Sequence, residues 1–362
     1  PIIATPDVQG GNGRLRPNNT LNHFTASCGQ SIYRGDALPK DFVGDYIVCE
    51  PVGRIVRRAK VTNVKGKTFL KNAYDESEFI ASSDMNFRPI NSATGPDGNL
   101  YIVDMYRGII QQGNWTKKGS FLRNKIDSLG LAKNIGRGRI YRVVYDGMKN
   151  TATPNMLNET PATLVKYLEH PNGWWRDNAQ KLLIIKGDKS VIPALKAMAT
   201  AKPGMPNDAA AHLSRIHALW TLEGLYAIDK SILLQVLHDP HPQVRKAAVW
   251  ISESFLSKND AEIMQAVFAM KNDSDFDVQS QVLLSLYYTN KEKSAAVVAE
   301  MVAHTNNKEM MEGIKDAMDK NELVKKLAGR LGDLPAKAKG AILDGAVIYR
   351  SLCATCHGAD GK

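Results

Sequence analysis

Leu237-His238-Asp239-Pro240-His241-Pro242-Gln243-Val244-Arg245-Lys246-Ala247-Ala248 decides how most of this chain folds. Asp-Pro stops one helix, because proline lacks a backbone N–H and disfavours α geometry in the residue before it; the second proline pre-sets the first turn of the next helix. Beyond the prolines, apolar residues recur at spacings of three and four, as at Ala247, Ala248 and Ile251. Leu168-Glu169-His170-Pro171-Asn172-Gly173-Trp174-Trp175-Arg176-Asp177-Asn178-Ala179 repeats the plan, with Arg176 lying 69 residues before Arg245. Two periods of about 34 residues fill that gap. Arg215-Ile216-His217-Ala218-Leu219-Trp220 is the intermediate copy, and Asp277-Val278-Gln279-Ser280-Gln281-Val282 lies one period further on. A single helical pair is too small to bury a core, so neighbouring copies are expected to stack into a solenoid.

The copies look like HEAT-type helical pairs, and we expect such an array over residues 155–335. Within it, each Arg and the Asp before it should form ladders between helices. Trp174, Trp175, Trp220 and Trp250 are expected to pack rather than stack on ligands. His170, His217, His238 and His241 fall at repeated positions without an H-E-x-x-H or a nearby carboxylate set, which favours helix-turn roles over metal binding. Asn150-Thr151-Ala152-Thr153-Pro154 reads as the linker before the array, and Gly332-Asp333-Leu334-Pro335-Ala336-Lys337 as the linker after it.

Residues 1–150 follow a different period. Short β-like runs, Asp45 to Cys49, Arg54 to Arg57, Leu100 to Val103 and Arg139 to Val144, alternate with turn signals in the manner of a sandwich, barrel or propeller. Gly95-Pro96-Asp97-Gly98-Asn99 predicts a tight hairpin, proline setting one turn dihedral and Asp-Gly closing it.

The other end carries Cys353-Ala354-Thr355-Cys356-His357, a C-x-x-C-H run. Two thiols at this spacing can each add across a porphyrin vinyl group while the adjacent imidazole ligates iron, which predicts covalent haem c on Cys353 and Cys356 with His357 as proximal ligand. Zinc is the first competing reading, but no second cysteine pair lies nearby. The second, a redox dithiol, wants a strand before the motif, whereas a helix signal precedes it, with Asp344 read as N-cap and Gly345, Tyr349 and Cys353 at four-residue spacing. Residues 341–362 are therefore expected to begin an all-α cytochrome c domain. Pro1 at one end and Lys362 five residues after His357 read as the limits of an internal fragment.

Two further cysteines, Cys28 and Cys49, form a pairable set. A disulfide between them would stabilise the fold by about 3 kcal/mol in the chain-entropy model and would place the protein in an oxidising compartment, where c-type haem is also attached. Two buried free thiols are the alternative. Charge is uneven, with 22 Lys and Arg against 13 Asp and Glu in residues 1–150, and 25 against 24 in the remainder. The cations of the first part are scattered through β-like runs, so a solvated basic surface able to steer an acidic redox partner is expected rather than nucleic-acid binding. No run of ten apolar residues occurs, so no membrane span is expected.

Gly95-Pro96-Asp97-Gly98, Tyr101 to Asp104, Met105-Tyr106-Arg107 and Phe87-Arg88-Pro89 resemble the closing blades of sorbosone-dehydrogenase-like propellers, and Gly136 to Arg142 resembles the final propeller strand. The order of segments resembles large exported bacterial haem proteins in which such a propeller precedes a HEAT array and a terminal cytochrome c domain. That resemblance implies a partial β-propeller over 1–150, a disulfide at Cys28 and Cys49, and a periplasmic or cell-envelope location. It also implies a pocket where Asp84, Arg88, Asp104 and Arg107 face a sugar- or alcohol-like substrate, and distant relatives use pyrroloquinoline quinone. The expected function is electron transfer through haem c to a redox partner protein or terminal acceptor, as the cytochrome-bearing part of an exported dehydrogenase-like protein. The alternative is an exported interaction scaffold with a redox-sensing haem and no dehydrogenase activity.

Overall fold

The computed structural model describes residues 16–17, 23–64, 66–110, 116–146, 148, 154–201, 211–289, 291–304, 308, 311–314, 331–332 and 334–349. Antiparallel sheets come first and a helical array follows. The chain divides into two compact units, Pro1–Ile228 and Asp229–Lys362.

In the first unit, β1 (Cys28–Ile32), β2 (Tyr46–Glu50), β3 (Ile55–Val64) and β4 (Lys67–Asn72) form an antiparallel meander in chain order, with the short β5 (Ile80–Ala81) also paired to β3. A second meander contains β6 (Pro89–Thr94), β7 (Leu100–Asp104) and β8 (Arg139–Val143). β1 and β2 pack against β6, and the shared core comprises Tyr33, Leu38, Ile47, Cys49, Val56, Leu100 and Ile102. The sheets approach closely at Gly29, where φ is +55° and an added Cβ would lie 2.2 Å from the Asn91 Cα. Only glycine fits that approach.

The predicted Gly95–Gly98 turn joins β6 to β7, with Gly98 N–H donating to the Gly95 carbonyl at 3.1 Å and Gly98 at φ +77°. Asp97 braces it by accepting from the Tyr101 hydroxyl at 2.9 Å and pairing with Arg142 at 3.0 Å. The helix α1 (Phe121–Leu129) lies between β7 and β8, capped by the Ser120 side chain and ended by Gly130 in the left-handed region.

Helical pairs follow. In the first unit α2 (Pro161–Tyr167) packs on α3 (Gly173–Lys186), and α3 and α4 (Ile192–Ala199) pack on α5 (Ala211–Gly224). The second unit holds α6 (Lys230–Val236), α7 (Pro242–Ile251), α8 (Glu253–Leu256), α9 (Ala261–Ala269), α10 (Phe276–Ser285) and α11 (Lys291–His304). The repeated turn works as a backbone latch. Arg176 Nη1 donates to the carbonyls of His170 and Pro171, and Arg245 Nη1 donates to those of Asp239 and Pro240 at 2.9 and 3.2 Å. At the last copy Gln279 replaces the arginine and donates to the Asp273 carbonyl at 2.6 Å. A ladder joins Arg245 to Asp273, the aspartate of the following copy rather than the one before the arginine, through two hydrogen bonds of 2.7 Å. His170 and His241 accept backbone N–H groups at their helix starts, the turn role their spacing predicts.

The helix α12 (Ala336–Ile348) departs from expectation. Asp344 lies within it rather than at its start, because Pro335 is the N-cap and the strong helix formers Ala336, Lys337, Ala338 and Lys339 begin it earlier. Residues 311–314, within the span expected for the array, are helical.

Candidate functional site

The residues expected to face a substrate fall around the loops before β6 and after β7. Asp104 ends β7, opposite Pro89 on one neighbour and Arg139 on the other. It is 1% exposed, and its Oδ1 accepts from the backbone N–H groups of Arg88 and Tyr106, both at 2.7 Å. That carboxylate holds Tyr106 in the left-handed region, at φ +45°, where a bulky side chain is strained. The Asp104 Oδ2 has no hydrogen-bond partner among the described residues.

Arg88 is also 1% exposed. Its guanidinium reaches three carbonyls, those of Arg107 at 3.1 Å, Pro51 at 2.9 Å and Gly108 at 3.1 Å. The arginine thereby ties the β2–β3 corner to the loop after β7. Arg107 enters only through its carbonyl, its own side chain being exposed.

Asp84 is half-buried and closer to solvent. Its Oδ1 accepts from Asn86 N at 2.9 Å and Asn86 Nδ2 at 3.1 Å, and its Oδ2 accepts from the Tyr106 hydroxyl at 2.7 Å. Burial raises the Asp84 pKa, but the Asn86 and Tyr106 hydrogen bonds and nearby Arg139 outweigh it, leaving the carboxyl below its ordinary range. The hydrogen bond to Asp84 in turn raises the Tyr106 pKa. The Arg139 guanidinium lies 3.4 Å from the centre of the Tyr106 ring. Both Asp84 oxygens are occupied, so this carboxylate acts as a fixed anion rather than as a waiting base.

A cleft of about 180 Å³ opens beside this cluster, lined by Asn86, Leu129, Gly130, Leu131, Lys133, Asn134 and Arg137. Asn134 donates to the Tyr106 carbonyl at 3.0 Å. The Oδ1 atoms of Asn86 and Asn134 are buried without a hydrogen-bond partner among the described residues. They can accept hydrogen bonds from a hydroxylated molecule. Sequence reasoning missed Tyr106, Arg139, Asn86 and Asn134; the positive φ at Tyr106 is a signal that only coordinates carry.

Cys28 and Cys49 are cross-strand partners on β1 and β2, and both are free thiols. The expected disulfide is therefore not formed in this structure, although directly opposed antiparallel residues, with Cα atoms about 4.5 to 5.5 Å apart, lie within disulfide reach. Burial, with the neighbouring Cys28, pushes the Cys49 thiol up to about 12, so it is protonated at neutral pH.

Cys353, Cys356 and His357 lie outside the described residues. Among the described residues no group of three or more His, Cys, Asp or Glu is placed to hold a metal ion, and no helix is long and apolar enough to cross a membrane.

Residues 3–147 match a family model described as Domain of unknown function (DUF7133), and residues 231–318 match the HEAT repeats model. No curated protein and no solved structure matches the chain. The chain is thus a sheet-rich segment followed by HEAT-like helical repeats, a class of array that suits protein interaction.

Proposed function

We propose that this chain carries covalently attached haem c and transfers electrons, as the cytochrome-bearing part of an exported dehydrogenase-like protein. The observation that carries the reading is Cys353-Ala354-Thr355-Cys356-His357, which follows the residues of α12 in the sequence. The donor set fits the group: the Cys353 and Cys356 thiols would hold the porphyrin through thioethers and the His357 imidazole would ligate iron. The haem supplies one-electron chemistry when bound. Export is tested by whether the cross-strand neighbours Cys28 and Cys49, free here, close a disulfide, a bond that persists in an oxidising compartment.

The two antiparallel meanders, β1–β4 and β6–β8, are compatible with consecutive blades of a partial propeller. The cleft lined by Asn86 and Asn134 is assigned to a sugar- or alcohol-like substrate, the Oδ1 atoms of both being buried without a hydrogen-bond partner among the described residues. Arg88 and Asp104 are engaged in holding backbone groups, and Asp84 in holding Asn86 and the Tyr106 hydroxyl. They do not form a set fitted to pyrroloquinoline quinone, and no step is routed through it.

The test is production of the chain with haem-attachment machinery, followed by mass measurement of the peptide holding Cys353 and Cys356. Covalent haem should survive denaturation and be lost in the Cys353→Ala/Cys356→Ala variant. A peptide without added haem, or one holding zinc through both sulfurs, refutes the reading. The second reading, an interaction scaffold with a redox-sensing haem, is favoured by the HEAT match and by exposed Trp250, Leu284, Tyr287 and Tyr288 on the second unit. Haem reduction by a sugar or alcohol with a quinone present separates the two, the scaffold giving spectra that do not respond to substrate.

A further inference from the structure

The strand β3 leaves the body of the first unit halfway along its length. Ile55 to Ala59 belong to the buried part of the sheet, with only Arg57 partly exposed, whereas Val61 to Val64 and their β4 partners Lys67 to Lys71 are exposed throughout. The pairing Val61↔Leu70, Thr62↔Phe69 and Val64↔Lys67 makes this a two-stranded hairpin with solvent on both faces. Side chains alternate across a strand, so Val61 and Leu70 share one face while Val64 and Phe69 lie on the other. These four apolar residues are 38, 53, 56 and 52% exposed. A two-stranded ribbon is marginal in water, and this one shows bulky apolar side chains on both sides.

The charge is equally one-sided. Residues 51–74 contain seven Lys and Arg and no Asp or Glu. At the base of the hairpin these cations are answered from elsewhere: Arg57 pairs with Glu78, Arg58 with Asp41 and Asp45, and Lys60 with the same two aspartates. Further along, Lys67 lies opposite Val64 and Lys71 opposite Lys60, on two strands that carry no Asp or Glu.

We propose that the β3–β4 hairpin is a membrane-docking element that inserts Val61, Val64, Phe69 and Leu70 into the interface of an anionic lipid bilayer, with the surrounding lysines on the headgroups. A flat protein surface or a nucleic acid covers one face of a ribbon and leaves the other wet. Immersion in a lipid interface covers both, and an anionic leaflet attracts the lysine cluster. The inference stands on the hairpin alone and does not depend on haem attachment.

The test is flotation of the full chain with vesicles of phosphatidylcholine alone or with about one-third phosphatidylglycerol. Binding is expected on the anionic vesicles only. Phe69→Ser/Leu70→Ser should weaken it at least tenfold, by removing buried apolar area. Lys67→Gln/Lys71→Gln should weaken it about 30-fold, from the attraction of each lysine to an anionic surface. The second variant keeps the test alive should the first fold poorly, and unchanged far-UV circular dichroism marks both as folded. Equal binding to neutral vesicles, no binding to anionic ones, or full binding by the serine variant overturns the proposal. Retention on duplex DNA or polyglutamate without vesicle binding overturns it in favour of a macromolecular partner.

Discussion

Replacing Asn172 tests how the sheets and first helices of the first unit are joined. Its side chain is 0% exposed and does two things at once. The Oδ1 caps α3 by accepting from Trp174 N at 2.9 Å, and the Nδ2 donates to the carbonyls of Gly95 and Pro96 at 3.0 and 3.2 Å. Loss of an N-cap costs about 1 kcal/mol, and loss of buried hydrogen bonds to carbonyls about 1 to 2 kcal/mol more, so Asn172→Ala should destabilise by about 2 to 3 kcal/mol. Asn172→Asp separates the two jobs, because aspartate caps as well as asparagine but presents a carboxylate to two carbonyl oxygens. Were capping the whole role, this variant would match the parent. If the grip on the turn matters, it should lose at least as much as the alanine variant at pH 7. Thermal unfolding followed by tryptophan fluorescence reads the difference, each 1 kcal/mol moving the midpoint by roughly 2 to 4 °C in a unit of this size. Facing two carbonyls, the introduced carboxyl would have its folded pKa raised above the unfolded value of about 3.9. The deficit of the Asn172→Asp variant should therefore be small below that pH, where the protonated form can donate, and grow as pH rises through the folded pKa. An Asn172→Asp protein that melts with the parent at pH 7 refutes the reasoning.

Three further outcomes are expected. His217, which bonds Gln180 at 2.7 Å, is driven down from 6.5 to about 4 by burial. Its contribution is present above pH 6.5 and is lost as pH falls towards 4, so stability should decline by up to about 3 kcal/mol over that window, and His217→Gln should flatten the slope in denaturant titrations. Arg245→Ala should cost the second unit about 3 kcal/mol by stranding the largely buried Asp273, with little recovery in Arg245→Lys, which cannot reproduce the two-pronged pairing; urea midpoints check this. In oxidising buffer Cys28 and Cys49 should close a disulfide, seen as loss of two titratable thiols with unchanged circular dichroism; persistent free thiols under these conditions would remove the export argument.

The helical repeats were legible because their signal is local: Pro171 and Pro240 break helices, and Arg176 and Arg245 recur in phase. The Gly95–Gly98 hairpin was legible for the same reason. Long-range roles were not. Arg88 was expected from the resemblance to face a substrate, yet it is buried against carbonyls 19, 20 and 37 residues away. Trp175 was expected simply to pack, and it does stack on His170, but its Nε1 also donates to the Pro96 carbonyl at 2.8 Å. Asp344 misled because an acid before a glycine resembles a helix start, whereas Pro335 and the alanines after it had already begun the helix. The cleft depends on Asn86, ahead of β6, meeting the Leu129 to Arg137 stretch at the end of α1, which no single stretch encodes.

The turn between β6 and β7 is held from several sides, by the Tyr33 hydroxyl on the Gly98 carbonyl and by Asn172 and Trp175 on Gly95 and Pro96. Arg34 adds a bidentate pair with Asp177 and accepts the Gly173 N–H at its carbonyl. A single protease nick near residue 152 should accordingly leave the two pieces bound as one particle that co-elutes until denaturant is added. The junction is then a site where the polypeptide can be split, tagged or permuted without separating the β-rich part from the helices it grips.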